Sequence, residues 1–179
     1  MILYLIGIAI LLFIIIVLSI QFSSIVFGGY APFFLTKSKV IKRIMEEIKV
    51  EDGDSVYELG CGNAGFLRAI EKKFPKVKEL IGAEKFLMPY LIGKIQTSFL
   101  KSRIKILKED IFKMNLRDAD IVYCFLNKPM MLKLKEKLKK ECEQGTQVIS
   151  YQFTLPDLAP ERVIDLEENE KDKIFFYKI

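Results

Sequence analysis

The segment VYELGCGNAG, Val56 to Gly65, runs from a β-rich apolar stretch straight into closely spaced glycines. Gly60, Gly62 and Gly65 spell G-x-G-x-x-G, and Glu58 to Gly62 also spell acidic-x-Gly-x-Gly. Either pattern needs a strand before it and a helix after it. Both are present: SVYEL reads as a short strand, and residues 64–74 read as a helix that Pro75 stops.

Working outward, the same alternation continues. Residues 78–84 (KELIGAE), 103–110 (RIKILKED) and 119–126 (ADIVYCFL) read as strands two to four. The fourth is almost wholly apolar, as a strand buried on both faces must be. A helix over 86–99 keeps Pro89 in its first turn, and Pro129 opens another through residue 143. TQVISYQF is a fifth strand, and the end of the chain holds two β-rich runs around a charged turn, a hairpin. Before the glycine stretch, Thr36 or Ser38 is placed to cap a helix through Glu46–Glu47, and EDGD (51–54) is a turn. This order predicts an α/β Rossmann-like open sheet, mostly parallel, with a C-terminal hairpin. Only residues 154–160 separate strand five from the hairpin, too few for a helical crossover.

Charge is distributed unevenly. The chain has 179 residues, with 28 basic and 23 acidic side chains, yet residues 1–36 contain none of them. From Met1 to Leu18 every residue is apolar or Gly apart from the Tyr4 hydroxyl. Eighteen helical residues span about 27 Å, close to the hydrocarbon thickness of a bilayer. A cleaved signal peptide would need a basic start and a small-x-small site, and neither is evident. The expected organisation is a transmembrane anchor (1–27), a linker and N-terminal helix (28–50) and a catalytic domain (51–179). Lys37, Lys39, Lys42 and Arg43 follow the span, so the positive-inside rule puts the domain on the cytoplasmic side of a single-pass membrane protein.

Other classes are excluded by residue type. There is no His, which removes His-based triads and the commonest zinc ligand. Cys61, Cys124 and Cys142 have no metal-ligand spacing and make no even disulfide framework, so no metal is expected. Lys128, Lys133, Lys135, Lys137, Lys139 and Lys140 read as a solvated helix face, with an anionic membrane surface as the next reading and a nucleic-acid partner disfavoured.

The glycine turn lies at the carboxyl end of strand one, where open α/β sheets bind ligands. Glu84, 24 residues beyond Gly60, can accept from ribose hydroxyls of either NAD or S-adenosylmethionine (SAM). Glu58 discriminates. A carboxylate is unfavourable beside a pyrophosphate but suits the ammonium and sulfonium charges of SAM. Asp110 can accept from an exocyclic adenine amine, and no second domain is available for a hydride partner. SAM is the expected cofactor.

YELGCGNAG, GAEK and KEDIFKM resemble motif I, the ribose acid and the adenine-site acid of class I SAM-dependent methyltransferases. More narrowly, the apolar leader, YAPFFLTKSKVIKRIM, DADIVYCFLNKPMM and QVISYQFTLPDL are similar to the small membrane-anchored lysine methyltransferases that modify the adenine nucleotide translocase and the ATP synthase c-subunit. The resemblance covers nearly all of residues 28–179. It implies that Glu58, Gly60, Cys61 and Gly62 hold the methionine end of SAM, Glu84 the ribose, and Asp110 with Ile111 the adenine. It also implies that Tyr30 to Phe33 close the pocket, and that the substrate is a lysine of a protein at or in the membrane; the alternatives are a small amine, a lipid or RNA as acceptor, or a catalytically weak SAM-binding module tethered to the membrane. Two departures stand out: Ala64 replaces the third Gly of Gly-x-Gly-x-Gly, and the family's last helix must be missing or reduced.

Each residue also has a structural reading. Glu84 could be a surface acid and Asp110 a helix cap, with Glu109 in its place. Cys61 reads as a packing residue, and Phe125 and Phe153 as core. Asn127, in the loop after strand four, is a candidate to orient an attacking amine through its side-chain carbonyl, or simply the cap of the next helix.

Overall fold

The computed structural model describes residues 1–28, 35–166 and 172–179. The chain divides into two compact units, 1–32 and 33–179. The first is built on α1 (Ile2–Gly28), whose stretch Ile2–Ser19 is long and apolar enough to cross a membrane.

The second unit contains α2 (Ser38–Glu47), β1 (Ser55–Leu59), α3 (Gly65–Lys73), β2 (Glu79–Ala83), α4 (Leu87–Phe99), β3 (Lys105–Leu107), β4 (Ile121–Cys124), α5 (Lys128–Glu141), β5 (Gln147–Tyr151), β6 (Arg162–Asp165) and β7 (Lys173–Lys178). The strands form one sheet in the order β3-β2-β1-β4-β5-β7-β6. β1 to β5 are mutually parallel, and β7 pairs antiparallel with both β5 and β6. β1 and β4 are buried along their whole length, because they sit in the middle of the sheet with neighbours on both sides. β4 (IVYC) is accordingly a continuous apolar run, whereas β1 (SVYEL) buries Ser55 and Glu58 among its apolar residues. Chain order reverses between β1 and β4, so their carboxyl ends open a crevice there.

The predicted sheet and hairpin are present, with three local corrections. Thr36 and Ser38 do not cap α2: its N-cap is Lys37, which makes no side-chain cap bond, while the Thr36 hydroxyl lies 2.8 Å from the Tyr123 hydroxyl. β3 is confined to three residues, because as an edge strand it pairs on one side only. Two lysines of α5 are not solvated: Lys135 and Lys137 are buried, with Lys135 bonded to Asp157 at 3.1 Å and Lys137 to both carboxylate oxygens of Glu141 at 2.7 Å. The expected loss of the last helix is realised. β6 runs parallel to β5 across β7, and no helix intervenes between Gln152 and Glu161. Interposing β7 removes the need for adjacent parallel pairing.

Candidate active site

The crevice is built on the turn that follows β1. Gly60 and Gly62 have φ of +73° and +51°, in the left-handed region where a side chain is strained. A Cβ on Gly60 would also lie 3.3 Å from Leu126 Cδ2. Gly60 and Cys61 N–H groups both donate to the Ala83 carbonyl, at 2.9 and 3.0 Å, which fastens the turn to the end of β2. Ala64, which stands where the third glycine of Gly-x-Gly-x-Gly would be, takes the left-handed conformation (φ 57°) as N-cap of α3. Cys61 fills the space above Gly82, where a Cβ would come within 2.6 Å of the thiol sulfur. Burial drives the Cys61 thiol far above its ordinary pKa, so it packs and supplies no thiolate.

Two carboxylates face this turn, and both are 5% exposed. Glu58 accepts the Leu67 N–H at 3.3 Å, and Arg68 adds an opposing charge. Burial nevertheless dominates and pushes its carboxyl up to about 8. Glu84 accepts Gly62 N–H (3.1 Å) on one oxygen and Phe86 N–H (2.8 Å) on the other. It too is raised by burial, against these bonds. Its structural alternative, a surface acid, does not apply. A buried acid this reluctant to ionise is suited to a cationic ligand, whose charge would offset the desolvation. The fixed Glu84 carboxylate presents acceptor oxygens for hydroxyl donors.

Asp110 pairs with Lys85 Nζ at 2.9 Å and accepts the Phe112 N–H at 3.1 Å, while its carbonyl takes the Lys113 and Met114 N–H groups. The cap geometry is therefore realised, at the start of a turn rather than a helix. Ile111 is buried beside it. Asn127 is the N-cap of α5, its Oδ1 accepting Met130 N–H at 3.1 Å. A role for that oxygen toward an amine would have to share it with the cap. Tyr30 lies outside the described residues. Among the described residues, no group of three His, Cys, Asp or Glu could hold a metal ion.

Several residues of the crevice escaped the sequence reading. Leu35, Thr36, Phe66, Tyr123 and Phe125 line the pocket with the glycine turn. Tyr123 stacks on Phe66 at 4.2 Å between centroids, and its hydroxyl meets Thr36. Phe125 tilts against Tyr151 at 4.7 Å. Behind Tyr151 lies a buried acid, Asp172, which accepts from the Tyr151 hydroxyl (2.6 Å), Gln152 Nε2 (2.9 Å) and Lys37 Nζ (3.4 Å). Those bonds, led by Tyr151, hold its carboxyl below the ordinary aspartate value. Contacts spanning residues 37 to 172 carry no local signal; only the apolar setting of the Tyr151 strand hinted that its hydroxyl needed a partner.

A profile of the ANTKMT methyltransferase domain matches residues 58–162, more than half of the chain. The protein-lysine N-methyltransferase of Saccharolobus islandicus is 31% identical over 153 residues, covering 84% of this chain and 94% of that protein. The adenine nucleotide translocase lysine N-methyltransferase of Mus musculus is 23% identical over 152 residues, 83% of this chain but 63% of the mouse protein. In fold, an RNA methyltransferase from Salinibacter ruber, solved with S-adenosyl-L-homocysteine, superposes with a TM-score of 0.74 at 23% identity, over 82% of this chain and 94% of that one. A parallel sheet of this order, a glycine turn flanked by buried acids and a family match across both lead to one assignment: the chain belongs to the ANTKMT methyltransferase domain family and is a class I SAM-dependent methyltransferase.

Proposed function

We propose that this protein N-methylates lysine side chains of a membrane-associated protein, working from the cytoplasmic face of the bilayer. The observation that carries the reading is the pair of buried carboxylates, Glu58 and Glu84, held on either side of a left-handed glycine turn at the switch point of the sheet. Names of two relatives support the acceptor: both are lysine N-methyltransferases. The apolar α1 supports the membrane, and the cluster Lys37, Lys39, Lys42 and Arg43 behind it supports the orientation.

SAM supplies an electrophilic methyl group on a sulfonium leaving group. This chain's residues supply position and environment. Glu58 takes the ammonium of the methionine end, Glu84 the ribose hydroxyls, and the Asp110–Ile111 segment the adenine edge. Tyr123 and Phe125, which line the pocket with Glu58, border the methionine side and offer an apolar entry for an acceptor chain. A lysine entering there is desolvated, and that lowers an amine pKa from about 10.4 toward the neutral, nucleophilic form. No general base is required, consistent with the absence of His. Much of the acceleration then comes from alignment and exclusion of water.

The test uses purified full-length protein, labelled SAM and membranes from cells lacking the gene, separated afterwards into protein, lipid and RNA. Label in protein is the expected result. Label confined to lipid or RNA would replace the acceptor assignment.

A further inference from the structure

α4 is built inside out. Its inward stripe is Pro89, Gly93 and Thr97, small residues four apart, all buried. Its large apolar residues point to solvent: Leu87, Met88, Leu91, Ile92, Ile95 and Phe99 are all exposed, Ile95 at 67% and Phe99 at 86%. The inward stripe must be small because α4 presses on the glycine turn. A Cβ on Gly93 would lie 2.6 Å from the Gly62 carbonyl oxygen and 2.9 Å from Ile106 Cδ1. Nothing in that constraint accounts for the outward face. A surface helix ordinarily carries charges there, and a contiguous apolar face marks an interaction site.

We propose that the outer face of α4 is a second membrane contact, lying in the interface of the bilayer that α1 crosses. Three observations select lipid as the occupant. From Phe86 to Lys108 the sequence contains no acidic residue, while Lys94, Lys101, Arg103, Lys105 and Lys108 are basic. Lys94, Lys101 and Lys108 make no ion pair among the described residues, which suits an anionic leaflet. The same lysines would oppose one another across a two-fold contact between copies of this chain. Finally, nine residues join α1 to α2, and that many extended residues reach about 30 Å at most, so the domain cannot leave the neighbourhood of the membrane. An α4 seated in the interface sets the height of the cofactor crevice above the lipid, and so which lysines can enter it.

The proposal rests on α1 lying in the bilayer, which resistance to alkaline extraction reads separately from everything that follows. Full-length protein carrying Cys142→Ser is labelled with an environment-sensitive fluorophore at Ile95→Cys or, as the control, at the exposed α5 position Lys133→Cys; Cys61 and Cys124 are buried and do not compete. The protein is reconstituted in phosphatidylcholine vesicles with or without phosphatidylglycerol, containing lipids with a quencher on the acyl chain. Quenching several-fold stronger at 95 than at 133, and rising with the anionic lipid, is expected. Equal quenching at the two positions in protein that resists extraction overturns the proposal. So does protection at 95 that follows the protein-to-lipid ratio and ignores the lipid quencher, because a second copy then covers the face. A second variant, Ile95→Glu with Phe99→Glu, alters only exposed side chains; it should abolish the difference between the 95-side and 133-side environments, read with the label at Leu91→Cys, and leave SAM affinity within about twofold. Unchanged quenching at 91 in that variant counts against the proposal.

Discussion

Replacing Glu58 by Gln separates ligand binding from stability, with opposite signs. Glu58 is buried and its carboxyl is pushed from 4.5 up to about 8, with burial the largest cause. The folded protein therefore holds this proton more tightly than the unfolded chain. Its contribution to stability is fully present below pH 4.5, declines as pH rises and is gone above about 8. One pKa unit corresponds to about 1.4 kcal/mol, so the interval sets a ceiling of ~5 kcal/mol. Gln stays neutral and can still accept the Leu67 N–H. Without ligand, Glu58→Gln should match the wild type near pH 4.5 and exceed it increasingly up to pH 8. In a domain of this size 1 kcal/mol moves Tm by about 3 °C, so the gap should open toward, and not beyond, ~15 °C. Differential scanning fluorimetry across pH measures it. SAM should reverse the order, because its ammonium compensates the carboxylate in the wild type alone. Loss of that charged contact should weaken SAM by about 1.5–3 kcal/mol, roughly 10- to 150-fold. Calorimetry at pH 6.5 in buffers of different ionisation enthalpy should show nearly one proton released per SAM bound by the wild type. A variant that is no more stable at pH 8, with unchanged SAM affinity, would refute both the burial argument and the assignment of Glu58.

Glu84→Ala should also weaken SAM by about 1.5–3 kcal/mol, read by calorimetry, because it removes the acceptor and frees the Gly62 and Phe86 N–H groups. Asn127→Ala should cost about 1 kcal/mol of stability through the lost Met130 cap, with Asn127→Asp restoring most of it in denaturant titrations. If the alanine variant also keeps full turnover, Asn127 has no part in orienting the amine. Asp172 is held below the ordinary aspartate value, so its contribution is present above about pH 3.8 and lost as pH falls through the lowered value. Asp172→Asn should therefore flatten the acid limb of the stability profile. Deleting residues 1–27 should leave SAM affinity unchanged and slow methylation of membrane targets, and an unrelated span of the same orientation should restore the rate by confinement.

The central strands, the glycine turn and both of its acids were legible because each depends on local pattern: continuous apolar runs, glycine spacing and a carboxylate at the end of a strand. What the sequence concealed depends on distant partners. Thr36 looked like a cap because it precedes a helix, but the buried Tyr123 hydroxyl, 87 residues away, claims it. Lys135 and Lys137 looked solvated because lysines crowd α5, yet Asp157 and Glu141 draw them against the fold. Asp172 carries no motif; only the folded sheet brings Lys37, Tyr151 and Gln152 onto it. α4 was readable as a helix, but its apolar residues would ordinarily face the core. The near contact of Gly93 with the Gly62 carbonyl admits only small residues on the inward side, and the large apolar ones lie on the exposed side.

The central claim is that lysine in a membrane-associated protein receives the methyl group. Tandem mass spectrometry of membrane proteins, after reaction with SAM and either the wild type or Glu58→Gln at matched concentrations, reads the acceptor atom directly. Methyl increments on lysine ε-nitrogens of one or a few membrane proteins, present with the wild type and strongly reduced with the variant, are the predicted result. Increments confined to other side chains, or equal with both enzymes, would contradict it.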